Sequence, residues 1–109
     1  MSAPFACDMT AIPAEQRAAH SALSRRLMTD EVEDISELSD GLAFSFPAEA
    51  YDAVIEFVGR ERLCCPFLTF ALNVSRNRGP VQLRLTGPDG VKDFIRAELH
   101  ITTGRGAVR

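Results

Sequence analysis

The run Glu61-Arg62-Leu63-Cys64-Cys65-Pro66-Phe67 sets two thiols side by side just before a proline, with a carboxylate three residues upstream of the first. Thiolates are soft ligands that select zinc, copper(I) and similar thiophilic ions. They are also the nucleophiles of thiol–disulfide exchange. Adjacent cysteines rarely bridge each other, because the small ring strains the peptide and the torsions. Cys64 and Cys65 are therefore expected not to be bonded to one another. Two sulfurs alone make a poor closed site, so Cys7, the remaining cysteine, is expected close to the pair. A third sulfur completes a trigonal site, or leaves a fourth position for Glu61 or a small ligand. The spacing matches no recognised zinc pattern, with no Cys-x-x-Cys and no paired histidines.

Blander readings compete with this one. Cysteine packs inertly as a small apolar residue, and the negative end of a helix dipole disfavours a thiolate. Glu61 could be a solvated helix charge or a partner of Arg60 or Arg17. His20 and His100 are expected at the surface or half-buried, of use as acid–base groups. Gly87-Pro88-Asp89-Gly90 reads as a turn, since it lacks the glycine and lysine pattern of a phosphate loop. Asp30-Glu31-Val32-Glu33-Asp34 lacks the ligand spacing of a calcium loop.

These residues need elements to hold them. A first helix is predicted from Pro13 to about Met28, with Thr10 as a cap and Ala19, Leu23 and Leu27 on its apolar face. Val32–Leu38 and Leu42–Phe46 read as hairpin arms joined through Ser39-Asp40-Gly41. Pro47 opens a second helix from about Ala48 to Leu63, with Tyr51, Val54, Ile55 and Val58 as its apolar stripe, widened by Phe57 and Ala50. On that wheel Cys65 falls near the centre of the stripe and Glu61 on its flank. Pro66 stops the helix by pushing Cys65 out of helical geometry.

Leu68, Phe70, Leu72 and Val74 then alternate with polar or small residues, as in a strand whose one face meets the core. A turn at 77–80 leads to a returning strand carrying Val81, Leu83 and Leu85. A third helix follows, capped by Asp89 and burying Val91, Phe94, Ile95 and Leu99. The expected fold is α+β: a four-stranded antiparallel sheet of two hairpins with three helices, in the order α-ββ-α-ββ-α. The segment Phe5 to Met9 adds an edge strand or lies across the domain.

The 109 residues suit one domain, 1–109, with about 102–109 a frayed tail. Hydrophobic residues make up 46% and charged ones 25%, which predicts a packed core rather than disorder. The net charge of −3, without a basic stripe, argues against nucleic acid. No apolar run is long enough to span a membrane, and Met1–Phe5 lacks the marks of a secretory leader. Three cysteines are too few for a disulfide framework, which favours a cytoplasmic setting with the thiols free or metal-bound.

The run from Glu61 to Phe67, with Phe70 and the stretch Leu85-Thr86-Gly87-Pro88-Asp89-Gly90-Val91-Lys92, resembles a group of small bacterial proteins of unassigned function. That group shares a Glu-x-x-Cys-Cys-Pro-Phe core and an upstream cysteine, matched here by Cys7. The resemblance covers nearly the whole chain, implies a bacterial cytosolic domain, and singles out the same three cysteines. It implies no activity.

The residues support three functional expectations. The first is a binding protein for a soft metal or metalloid, such as zinc or another thiophilic ion, through Cys7, Cys64 and Cys65, with Glu61 as outer-shell partner or fourth ligand. The second is a thiol redox enzyme using the same cysteines, one attacking and another resolving; the expected partner is a soft metal ion or a small thiol-reactive ligand. The third is an interaction module or homodimer in which the cysteines only pack.

Overall fold

Two hairpins build the sheet in the computed structural model, which describes residues 5–101. Ser39-Asp40 joins strand β1 (Asp34–Leu38) to β2 (Gly41–Phe46), with Leu38 opposite Gly41. Neither Ser39 nor Asp40 has a positive φ, so the turn is not of the primed kind that Asp-Gly favours at its centre. Strands β3 (Thr69–Val74) and β4 (Val81–Thr86) form the second hairpin. The hairpins meet along β2 and β4, also antiparallel, giving the order β1-β2-β4-β3. A β-carbon on Gly41 would collide with the carbonyl of Leu85 on β4, so the close approach of the central strands requires glycine there.

Alternation decides which side of the sheet is covered. Ile35, Leu42, Phe44, Phe46, Val81, Leu83 and Leu85 are buried. They meet as cross-strand partners, Ile35 with Phe44, Leu42 with Leu85, Phe44 with Leu83 and Phe46 with Val81. Ser36, Ser45, Gln82 and Arg84 occupy the alternate positions. Helices α1 (Ala14–Arg26), α2 (Tyr51–Cys64) and α3 (Val91–Glu98) complete the expected order α-ββ-α-ββ-α. No helix among the described residues is long and apolar enough to cross a membrane.

Several local expectations change. Helix α1 starts after Pro13 with no side-chain cap, so Thr10 does not fill that role, while Asp8 accepts from the Thr10 N–H and caps a separate 3-10 turn over Met9–Ala11. Helix α1 stops at Arg26 and continues as a π-turn over Leu27–Glu31. Its buried face carries His20, Leu23 and Leu27, while Ala19 is exposed. Strand β1 begins at Asp34 rather than Val32. Gly90, at φ 90°, precedes α3 without any side-chain cap, so Asp89 does not fill that role. A left-handed residue at this point suits glycine. The segment from Phe5 to Met9 lies across the domain, its Asp8 N–H donating to the Cys64 carbonyl at 2.9 Å. The expected frayed tail, about 102–109, lies outside the described residues.

The largest shifts concern α2 and β3. The buried face of α2 is Val54, Phe57, Glu61 and Cys64, whereas Tyr51 and Ile55 are exposed. The stripe is thus rotated from the expected one and puts Glu61 in its centre. β3 is an edge strand, and its burial fades along its length. Leu68, just before it, is buried, Phe70 and Leu72 are half-buried, and Val74 is exposed. Phe70→Ala should accordingly cost about 1–2 kcal/mol in chemical denaturation, below the ~3–5 kcal/mol of a fully buried phenylalanine. A loss in that higher range would mean the edge is covered in solution.

Candidate thiol and metal site

Pro66 and the rotated face of α2 together assemble the site. The helix ends as expected: Cys64 is its last residue, and Cys65 leaves helical geometry at φ −126°, ψ 66°. The Cys65 N–H still donates to the Glu61 carbonyl at 2.9 Å. Both cysteines are fully buried. Their sulfurs lie 3.7 Å apart and are not bonded to each other.

Cys7 reaches the pair from the N-terminal segment, as expected on chemical grounds. It is joined to Cys65 by a disulfide. The expectation that all three thiols are free is corrected here: only Cys64 is a free thiol. The physical reason is proximity, because the segment that lies across the domain presents the Cys7 sulfur directly to Cys65.

Glu61 sits beneath the sulfurs. Its Oε2 lies 3.4 Å from Cys65 Sγ, and its Oε1 accepts from the Cys64 thiol at 3.7 Å. Ligand atoms of Cys7, Glu61, Cys64 and Cys65 all fall within 4.8 Å of one another. All four residues proposed from the sequence are therefore brought together.

The partner of Glu61 is neither Arg60 nor Arg17. Arg60 pairs with Glu56, and Arg17 donates to the Met9 and Ile12 carbonyls. His20 takes the role instead, 3% exposed, with Nε2 2.7 Å from Glu61 Oε1. The expectation of a surface or half-buried His20 is thus overturned, because α1 packs its histidine face against α2. The imidazole stacks near the Phe57 ring, with centroids 5.7 Å apart. Nδ1 of His20 is buried without a hydrogen-bond partner. The signal was present in the spacing: His20 stands three and seven residues before Leu23 and Leu27, on one helical face.

His100, expected at the surface, is exposed at φ 55°. With His20, Glu61, Glu98 and Arg25 it lines a cleft of about 250 Å³. Burial, then repulsion from Glu61, pushes Glu98 above the usual carboxylate range, and His20 opposes this.

Burial pushes the Cys64 thiol up to about 12, reinforced by the charges of Glu61 and Glu98. A high pKa leaves little thiolate at neutral pH. At pH 8 Cys64 of the oxidised protein should alkylate about a hundred- to a thousandfold more slowly than an ordinary cysteine. The rate should climb about tenfold per pH unit, through and beyond pH 9. Because the folded state holds this proton longer than the unfolded chain, stability should fall as pH rises above about 9. Timed labelling by mass spectrometry checks the rate, and ordinary reactivity at pH 8 would contradict it.

Compared with models of known families, with curated proteins and with solved structures, the chain matches none.

Proposed function

We propose that the chain binds a soft metal or metalloid ion through the sulfurs of Cys7, Cys64 and Cys65, freed for ligation when the Cys7–Cys65 disulfide is reduced. Glu61 serves as fourth donor or as the outer partner of the sulfurs. The observation that carries this reading is the convergence of four ligand atoms within 4.8 Å, at a point where Glu61, Cys64 and Cys65 are all buried. His20 supports it by holding Glu61 Oε1 at 2.7 Å, the kind of second contact that orients a ligand or its neighbour. Metal binding displaces the thiol protons and offsets the reluctance of Cys64 to ionise. Such a protein would work in a reducing bacterial cytoplasm, in keeping with the resemblance carried by the Glu61–Phe67 run.

One observation favours a second reading, thiol redox chemistry: a disulfide with a free thiol 3.7 Å from one of its sulfurs. Two features weigh against it. Attack by Cys64 on Cys65 would close a strained bridge between neighbours, and a thiol pushed up to about 12 is a poor nucleophile at neutral pH.

The test is titration of anaerobic, reduced protein with cadmium, zinc and arsenite, followed by thiol accessibility and elemental analysis. One ion per chain is expected, lost on reoxidation and in the Cys7→Ser variant. Binding that survives oxidation and all three Cys→Ser changes would overturn the reading. Reduction of peroxide or a small disulfide at a steady rate would favour the redox alternative.

A further inference from the structure

Charge distinguishes among the ions a three-sulfur site can hold. Three thiolates around a monovalent cation carry two net negative charges, and around a divalent cation one. Around a trivalent centre they carry none. Here Cys64 and Cys65 are 0% exposed and Glu61 is 2% exposed. Glu61 already places a carboxylate against both sulfurs, and Glu98 joins it in lining the adjacent cleft. Uncompensated charge is costly in such a desolvated position. The basic groups lining that cleft are His20, paired with Glu61, and two exposed residues, Arg25 and His100.

Coordination number points the same way. One oxygen of Glu61 is engaged by His20 at 2.7 Å, which favours the role of outer partner for the carboxylate over that of fourth donor. A centre whose fourth position is a lone pair needs no fourth ligand. Cys7 is the one of the three cysteines that is only half-buried, so its side of the site is the one from which a small uncharged molecule would enter.

We infer that the reduced site takes a trivalent metalloid hydroxide, As(OH)3 or its antimony counterpart, held by three sulfur bonds from Cys7, Cys64 and Cys65. The inference rests on the three-thiol reading above and names its ligand class. A small cellular thiol first reduces the Cys7–Cys65 disulfide, two molecules of it leaving as their own disulfide while each protein sulfur gains a proton. Three As–O bonds then break and three As–S bonds form. The three thiol protons leave with the three hydroxides as water, and arsenic stays trivalent throughout. Glu61, within 3.4 Å of Cys65 Sγ and 3.7 Å of Cys64 Sγ, is placed beside two of the three thiols to pass their protons to the departing hydroxides.

Native mass spectrometry of the full chain separates the possibilities. The protein is reduced with a phosphine, freed of it under anaerobic conditions, and mixed with arsenite alone, with zinc alone, and with both. The expected product is one arsenic per chain with loss of three hydrogens, persisting in excess zinc. Each single Cys→Ser variant should weaken the adduct by more than the ~10–100-fold typical of outer-shell partners. Glu61→Gln should keep the loss of three hydrogens while forming the adduct more slowly. Circular dichroism confirms that the variants are folded, and the hydrogen count on the unaltered chain stands without them. Arsenic displaced by equimolar zinc would overturn this inference and leave the three-thiol site intact, whereas an adduct that loses only two hydrogens would overturn this inference and show two-sulfur ligation of arsenic. Binding of neither ion would overturn both.

Discussion

Reducing the Cys7–Cys65 disulfide should lower the unfolding free energy by about 4 kcal/mol, the chain-entropy value for a loop of this size. The bridge spans 58 residues of sequence, so the unfolded chain gains much freedom when it opens. The folded state loses less. The N-terminal segment keeps its hydrogen bond from Asp8 to Cys64, and the Phe5 ring still packs on Phe67 and Phe94, with centroids 5.0 and 6.1 Å apart. Urea denaturation with and without a phosphine measures the difference, and Cys7→Ser should reproduce it. The reduced protein should also show a steeper dependence on urea, because its unfolded state exposes more surface. A ligand that binds the open site returns stability by mass action, about 2.7 kcal/mol at a hundred times its Kd. Equal stability of the two redox forms would mean that the bridge contributes nothing to holding the fold.

Replacing His20 with Leu should cost about 3–5 kcal/mol, the loss typical when one member of a buried polar pair is left alone. Glu61 would then be buried among Phe57, Cys64 and Cys65 without its 2.7 Å partner. The double variant, His20→Leu with Glu61→Leu, should recover most of that loss, since an apolar pair of similar volume often packs as well as the polar one. Thermal unfolding of the two single variants and the double variant closes a mutant cycle. Additive losses would show that His20 and Glu61 act independently, contrary to their contact. The double variant separates roles as well: a pair kept for the site rather than for stability should fold normally and bind thiophilic ions poorly.

Much of the fold was legible because it rests on local rules. Asp40-Gly41 marked the first hairpin, alternation marked Val81, Leu83 and Leu85, and Pro66 marked the end of α2. The third helix and its C-cap bury Val91, Ile95 and Leu99 as the spacing required, while Phe94, expected with them, is only half-buried. What sequence periodicity could not supply was which strands are neighbours. With β4 at the centre and β3 at the edge, the alternation of Phe70, Leu72 and Val74 identified the correct face but overstated its burial. The α2 stripe was misplaced for a related reason. Apolar residues alone favour Tyr51 and Ile55, whereas the true face runs through Glu61. His20 was hidden in the same way, a polar residue inside an apolar face. Each looks anomalous until the two faces are set against each other, and then each explains the other. The nearness of Cys7 followed from coordination chemistry, but its bond to Cys65 depends on a three-dimensional approach that no spacing encodes.

The bridge has a consequence for how quickly the molecule reaches its native state. Along the backbone, His20 and Glu61 are 41 residues apart. Through the closed disulfide the covalent path is shorter, thirteen residues from His20 back to Cys7 and four from Cys65 back to Glu61. Bringing the ends of the shorter path together costs about 0.8 kcal/mol less entropy. The effective contact order between α1 and α2 therefore depends on oxidation state, and low contact order accompanies fast folding. The oxidised chain docks its first two helices as near neighbours, whereas the reduced chain must find the same contact across the intervening β1–β2 hairpin.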